Sequence, residues 1–186
     1  MKGIVFNLLE EVVSREHGVD AWDELLDAAG ATGSYTSLGS YADAELLSLV
    51  MAASSRFEIP PEAVVRWLGY KAVPLLAQKY PGFFTPHTST RTFILTLNDI
   101  IHPEVRKIYP GADVPVFDFE AKGDALLLGY ASARKLCSFA QGLIEGTAEH
   151  YGETVALEHL KCMTRGDDKC LLSVQFNGQG DSIERQ

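Results

Sequence analysis

Tyr130, Ser132 and Arg134 stand at alternate positions in the run Tyr-Ala-Ser-Ala-Arg. Successive side chains of an extended segment point to opposite faces, so this spacing turns a phenol, a hydroxyl and a guanidinium toward one point. Such a set recognises anions. Arginine binds a carboxylate or phosphate through two parallel hydrogen bonds, and the hydroxyls add single donors. The competing reading is three ordinary strand residues, because short triplets recur by chance. Twenty-eight residues before Tyr130, His102 is followed by Pro103. On position alone, a histidine near an apolar helix end is more often a satisfied core or surface residue than a metal ligand.

A second set lies near the carboxyl end. His159 is followed after two intervening residues by Cys162 and, after seven more intervening residues, by Cys170 across Arg165-Gly166-Asp167-Asp168. A turn there puts one imidazole and two thiols on opposite arms of a hairpin, and Cys137 can complete a tetrahedron from a neighbouring helix. That is the Cys3His stoichiometry of structural zinc. The alternative is three reduced cysteines with no metal.

These residues need a scaffold, and the composition supplies one. A chain of 186 residues with 46% hydrophobic content can bury a substantial core, enclose a small molecule and remain one domain. A formal net charge of -9 and the absence of any Lys/Arg-rich run argue against nucleic acid. Neither a cleavable signal pattern nor a long apolar span is present at the start, so the expectation is a cytoplasmic protein with no membrane association.

Apolar positions Ile4, Leu8 and Val12 give residues 3–15 helical spacing, with Gly18 as a stop. Further helices are expected over 20–29, ending at Gly30, over 42–57, over 61–79 and over 93–102. Pro103 pushes His102 toward extended geometry, so the last of these should end or kink there. Beyond Gly111 the pattern becomes strand-like: paired strands over 114–121 and 125–132, a helix over 134–151, and a second hairpin from 153–163 and 169–176. The fold class is therefore α+β, a helical amino half packed on a carboxyl half of two antiparallel hairpins with an intervening helix, and a groove between them suited to a flat ligand. Residues 177–186 read as a frayed polar tail.

The triplet, together with Met-Lys-Gly running directly into helix, Asn98-Asp99-Ile100-Ile101-His102, Tyr109-Pro110-Gly111-Ala112, Pro115 and Gly142-Leu143-Ile144-Glu145-Gly146, resembles the haem nitric oxide/oxygen-binding (H-NOX, or HNOB) domains over roughly residues 1–176. The resemblance implies a single domain, with a helical subdomain of about 1–60 and a haem-enclosing remainder over 61–176. It implies a haem b cofactor whose propionates are held by Tyr130, Ser132 and Arg134, whose iron is held by His102, and whose ring is pressed out of plane by Pro115. Val5, Leu9, Leu76, Phe139 and Leu143 fall on the gas-binding side. Oxygen-binding members carry a tyrosine nine residues beyond the motif tyrosine, where this chain has Phe139. The ligands implied are thus nitric oxide and carbon monoxide, without stable oxygen binding.

Certain bacterial members of that family carry zinc. This favours Zn(2+) at Cys137, His159, Cys162 and Cys170, with thiol oxidation as a second input. The expected role is a sensor rather than an enzyme, acting in trans on a histidine kinase or a cyclic-di-nucleotide enzyme. Two other readings stay open. Residues 142–176 also resemble the 4-vinyl-reductase type of small-molecule-binding module, which needs no haem. An enzyme using Cys137 or Cys162 as nucleophile with His159 is the other.

Overall fold

The computed structural model describes residues 1–177. The first helix, α1 (Gly3–His17), buries Ile4, Leu8 and Val12, the stripe its periodicity sets. It is followed by α2 (Val19–Ala29), α3 (Asp43–Phe57) and α4 (Pro61–Lys79). Gly30 ends α2 in the left-handed region, φ 63°, where a side chain would be strained. These helices enclose one core, with Phe6, Leu9, Leu25, Leu49, Val64 and Leu68 at its centre.

Two short helices, α5 (Pro81–Phe84) and α6 (Thr90–Ile94), precede the region of His102 and are not marked by the sequence periods. The expected helix over 93–102 is instead three pieces: α6, one π-helical turn (Leu97–Ile101), and α7 (His102–Ile108). His102 is helical, φ -65° and ψ -38°, rather than extended, and the chain stays helical for six residues beyond it. The widened turn explains the difference. A proline within a regular helix meets the carbonyl one turn back, and at the second residue of α7 its missing N–H is one that a helix start leaves unpaired in any case.

The carboxyl half contains β1 (Val116–Lys122), β2 (Ala125–Ala131), α8 (Cys137–His150), β3 (Thr154–Lys161) and β4 (Cys170–Asn177). The strand–strand–helix–strand–strand order is as expected. The two hairpins, however, are joined: β2 pairs with β4, giving one antiparallel sheet in the order β1-β2-β4-β3. Asn177 closes β4 rather than opening a tail, and the remainder of the expected tail, 178–186, lies outside the described residues. Ala140 and Ile144 of α8 share a second core with Leu126, Leu128, Leu172 and Val174 of the sheet.

Glycines let α4 and α8 touch backbone to backbone. A Cβ on Gly142 would stand 1.9 Å from Arg66 O, and one on Gly69 2.4 Å from Phe139 O. This contact fixes the height of Phe139 and Leu143 on α8 against Leu76 on α4. No helix among the described residues is long and apolar enough to cross a membrane.

Candidate functional site

The two halves meet around a cavity of about 320 Å³ with an almost wholly apolar wall. Val5, Leu76, Phe139 and Leu143 all line it, as do Pro115, His102, Tyr130, Ser132 and Arg134. Leu9 does not: it is fully buried in the helical core, and Leu8 faces the cavity instead. The stripe of α1 that meets the cavity runs through Ile4 and Leu8, and Leu9 sits about 100° further round the helix.

Only Tyr130 of the anion-binding triplet lies on a strand. β2 ends at Ala131, and Ser132 and Arg134 occupy a turn closed by a bond from Lys135 N–H to Ser132 O at 3.1 Å, with Lys135 at φ 52°. A turn, not one face of an extended segment, brings the three together. Each brings a donor. Tyr130 Oη accepts from Leu136 N–H (3.2 Å) and Ser132 Oγ accepts from Arg134 N–H (3.3 Å), so neither of these bonds spends a hydroxyl hydrogen, and the Ser132 hydroxyl is also close enough to bond Tyr130. Arg134 Nε donates to Asp43 (2.8 Å), and its Nη1 donates to the Asp113 carbonyl (2.8 Å) and carboxylate (2.9 Å). Its Nη2 has no partner among the described residues. Burial raises the Tyr130 pKa, so the phenol stays protonated and can donate. Asp43 is held below its usual range by hydrogen bonding from the Met1 amino group and by Arg134, and therefore stays ionised.

His102 reaches the cavity from the start of α7. Burial, reinforced by the Arg106 guanidinium, lowers its pKa to about 4, so at neutral pH it is an uncharged imidazole with a lone pair to offer. Its Nδ1 is buried without a hydrogen-bond partner. An unpaired buried polar atom costs free energy unless a ligand meets it. The arrangement fits a flat, apolar, dianionic metal complex: a neutral imidazole, apolar walls, and a cluster of unspent donors.

A polar feature that the sequence reading missed also borders this cavity. Tyr80, at the end of α4, and Tyr109, beyond α7, hydrogen-bond through their hydroxyls. Burial, then the bond to Tyr80, raises the Tyr109 pKa. One hydroxyl hydrogen of the pair remains uncommitted. No local signal marks it, because the two residues are 29 apart in sequence.

The three cysteines also converge. Cys137 opens α8, Cys170 opens β4 and Cys162 follows β3. Their sulfurs all lie within 4.8 Å of one another, with Cys137–Cys162 at 3.6 Å and Cys162–Cys170 at 4.0 Å. The edge of a tetrahedron with metal–sulfur bonds of about 2.3 Å is about 3.8 Å. Met163 N–H points at Cys170 Sγ at 3.2 Å. Burial pushes the Cys137 thiol up to about 12; at Cys162 hydrogen bonds from Thr164 and from the other thiols outweigh burial and lower it to about 7. His159 is outside the 4.8 Å group. It lies on β3 beside a groove that Cys162 also lines, and its Nε2 is buried without a partner.

Comparison with known proteins agrees with this geometry. The family model described as Haem-NO-binding (HNOB) matches residues 2–159. The structure of an H-NOX protein from S. oneidensis in the Fe(II)NO ligation state is 32% identical, with a TM-score of 0.89, and the match covers 96% of this chain and 100% of that one. An NMR structure of the Shewanella oneidensis domain in the Fe(II)CO state is likewise 32% identical, TM-score 0.86, covering 96% of this chain and 99% of that one. The unliganded Fe(II) H-NOX protein from K. algicida is 26% identical, TM-score 0.82, with full coverage of both chains. No curated protein sequence matches the chain.

Proposed function

The chain belongs to the haem-NO-binding family, and from that premise we propose that it is a haem-based nitric oxide sensor that regulates a separate signalling protein. The observation that carries the reading is one apolar cavity holding both a neutral imidazole, His102, whose Nδ1 is buried without a partner, and three donor side chains, Tyr130, Ser132 and Arg134. His102 would hold the iron and the three donors would hold the propionates, and Pro115 lines the same cavity. When bound, the haem supplies a ferrous iron that takes nitric oxide or carbon monoxide. The S. oneidensis relatives in those two ligation states support this.

Phe139, with Val5, Leu76 and Leu143, offers no hydrogen bond to a gas molecule, and bound oxygen depends on such a donor more than nitric oxide does. The Tyr80–Tyr109 pair spends one of its two hydroxyl hydrogens internally. Absorbance spectra of the purified ferrous protein test both points. The expected result is a Soret band that shifts with nitric oxide and with carbon monoxide, and in air no lasting change other than oxidation to the ferric form. A stable oxygen-dependent spectrum overturns the gas preference. Absence of any Soret band after haem supplementation overturns the haem reading and favours the 4-vinyl-reductase type of module.

The propionate assignment has its own measurement. Arg134→Ala removes a contact between two charged groups, at the upper end of about 1.5–3 kcal/mol, and Tyr130→Phe a bond from an uncharged phenol to a carboxylate, at the lower end. Haem transfer to an acceptor protein should therefore quicken by roughly 100-fold in the first variant and about tenfold in the second. Equal rates in both variants and wild type contradict the role.

The thiol cluster supports a structural zinc in the same domain, held by Cys137, Cys162 and Cys170, with His159 as fourth ligand after its ring turns toward them. Oxidation of these thiols would release the metal, which makes them a second input. The output is read by a partner in trans, a histidine kinase or a cyclic-di-nucleotide enzyme, and the chain itself catalyses no reaction.

A further inference from the structure

The turn that delivers His102 is widened. Ile101 N–H reaches Thr96 O at 3.1 Å and His102 N–H reaches Leu97 O, each five residues back. Such single turns concentrate at functional sites. From inside this one, Asn98 crosses to the sheet: its Nδ2 donates to Phe117 O at 2.6 Å, and its Oδ1 accepts from Phe117 N–H at 3.1 Å.

The N–H and C=O of a strand residue point to the same side. Both groups of Phe117 are therefore turned away from β2, and Asn98 stands where a neighbouring strand would be, on the outer edge of β1. This makes Phe117 and Tyr130, which face each other across β1 and β2, a non-hydrogen-bonded pair, the closer of the two kinds. Their ring centroids are 5.7 Å apart, and the Phe117 ring is also 5.7 Å from that of His102. One residue is thus tied by its backbone to the turn carrying His102 and by its ring to both His102 and Tyr130.

We propose that Asn98 is a positioning residue that couples His102 to the sheet, so that any displacement of the turn 97–101 is carried through Phe117 into β1. The inference rests on His102 being the iron ligand. Its physical basis is directional. A paired amide contact defines both the distance and the register of two backbones, whereas an apolar contact in the same place lets them slide. The turn can then shift only by drawing β1 with it or by breaking both bonds.

Amide hydrogen exchange in the haem-loaded ferrous protein, with and without nitric oxide, tests this. In wild type, nitric oxide should change exchange at 97–102 and at 116–119 together, by at least about threefold in each. In Asn98→Ala the response at 97–102 should persist while that at 116–119 falls to less than about a third of the wild-type response. Asn98→Asp keeps the acceptor for Phe117 N–H and loses the donor, so its response should be intermediate; it also serves if the alanine variant fails to fold. A wild type without a change at 116–119, or either variant matching wild type there, overturns the proposal. Wild-type protein that takes up no haem overturns the haem reading instead, so the two failures are distinct.

Discussion

A His102→Gly variant purified without imidazole is expected to lose at least tenfold in haem affinity, and to regain it when imidazole is supplied. The His102 Nδ1 has no hydrogen-bond partner and the ring's other polar contact is a single one with the Pro115 backbone, so deleting the ring breaks at most one internal bond. Glycine at the start of α7 costs at most about 1 kcal/mol of helix propensity, which in a chain of this length lowers Tm by roughly 2–4 °C. The haem-free variant should therefore stay folded, and any loss of haem is assignable to the missing ligand. Losing only about 1.4 kcal/mol of binding is already tenfold. Free imidazole has the chemistry and size of the deleted group and can occupy the space left beside Pro115 and Phe117. The measurement is haem content after gel filtration with and without imidazole, alongside circular dichroism. Wild-type haem content and spectrum in the variant without imidazole would remove His102 from the iron.

Much of this site is legible in the residues, though not its geometry. Tyr130, Ser132 and Arg134 announce an anion site because donor chemistry belongs to residue type, and all three line the cavity. Their convergence through a turn was not readable, since nothing local says that β2 stops at Ala131 or that Lys135 adopts a positive φ. His102 had no distinguishing local signal and gained its role only through the family resemblance. Pro103 marked a real boundary, since one helical element ends at Ile101 and α7 opens at His102, but it gave the wrong backbone for His102, because the rule that disfavours helix before proline assumes a regular turn and the turn before α7 is widened. The helices with clear periods, α1, α3 and α4, agree with expectation to within a few residues. The four- and five-residue helices α5 and α6 carry too few turns for a period to show.

Long-range pairings escaped for a related reason. The joining of the hairpins through β2 and β4, the Asn98–Phe117 clamp and the Tyr80–Tyr109 bond each link residues far apart in sequence, where hydrophobic periodicity carries no information. Leu9 shows the limit of resemblance itself. A residue carried over from a family pattern can miss the wall by one position on a helix, about 100° of rotation, and lie in the core instead.

Removing the proposed zinc should have the other large effect, on stability rather than on haem alone. Cys137 is the first residue of α8, Cys170 the first of β4, and Cys162 lies between β3 and β4, so a metal shared by all three ties the helix to the hairpin. Because the site exists only in the folded chain, its binding free energy is folding free energy. With free zinc at 1,000 times its dissociation constant the contribution is about 4.1 kcal/mol, which in a chain of this length corresponds to a Tm difference on the order of 8–16 °C between zinc-loaded and chelator-treated protein. The sign with pH follows from the ligands. Zinc binds thiolates and displaces their protons, so the added stability is present near neutral pH and is lost as acid competes for the sulfurs. Cys162→Ser should abolish both the metal and the chelator response. His159→Ala is the sharper test, since His159 stands outside the sulfur group: weakened zinc binding with a reduced Tm response supports it as fourth ligand, and an unchanged response assigns that position to another donor. The effect should also reach the cavity, because α8 bears Phe139 and Leu143 on its wall. Chelator-treated protein should therefore release haem faster than the zinc-loaded form. Elemental analysis showing no zinc in protein prepared under reducing conditions would leave the three thiols as a buried, metal-free cluster.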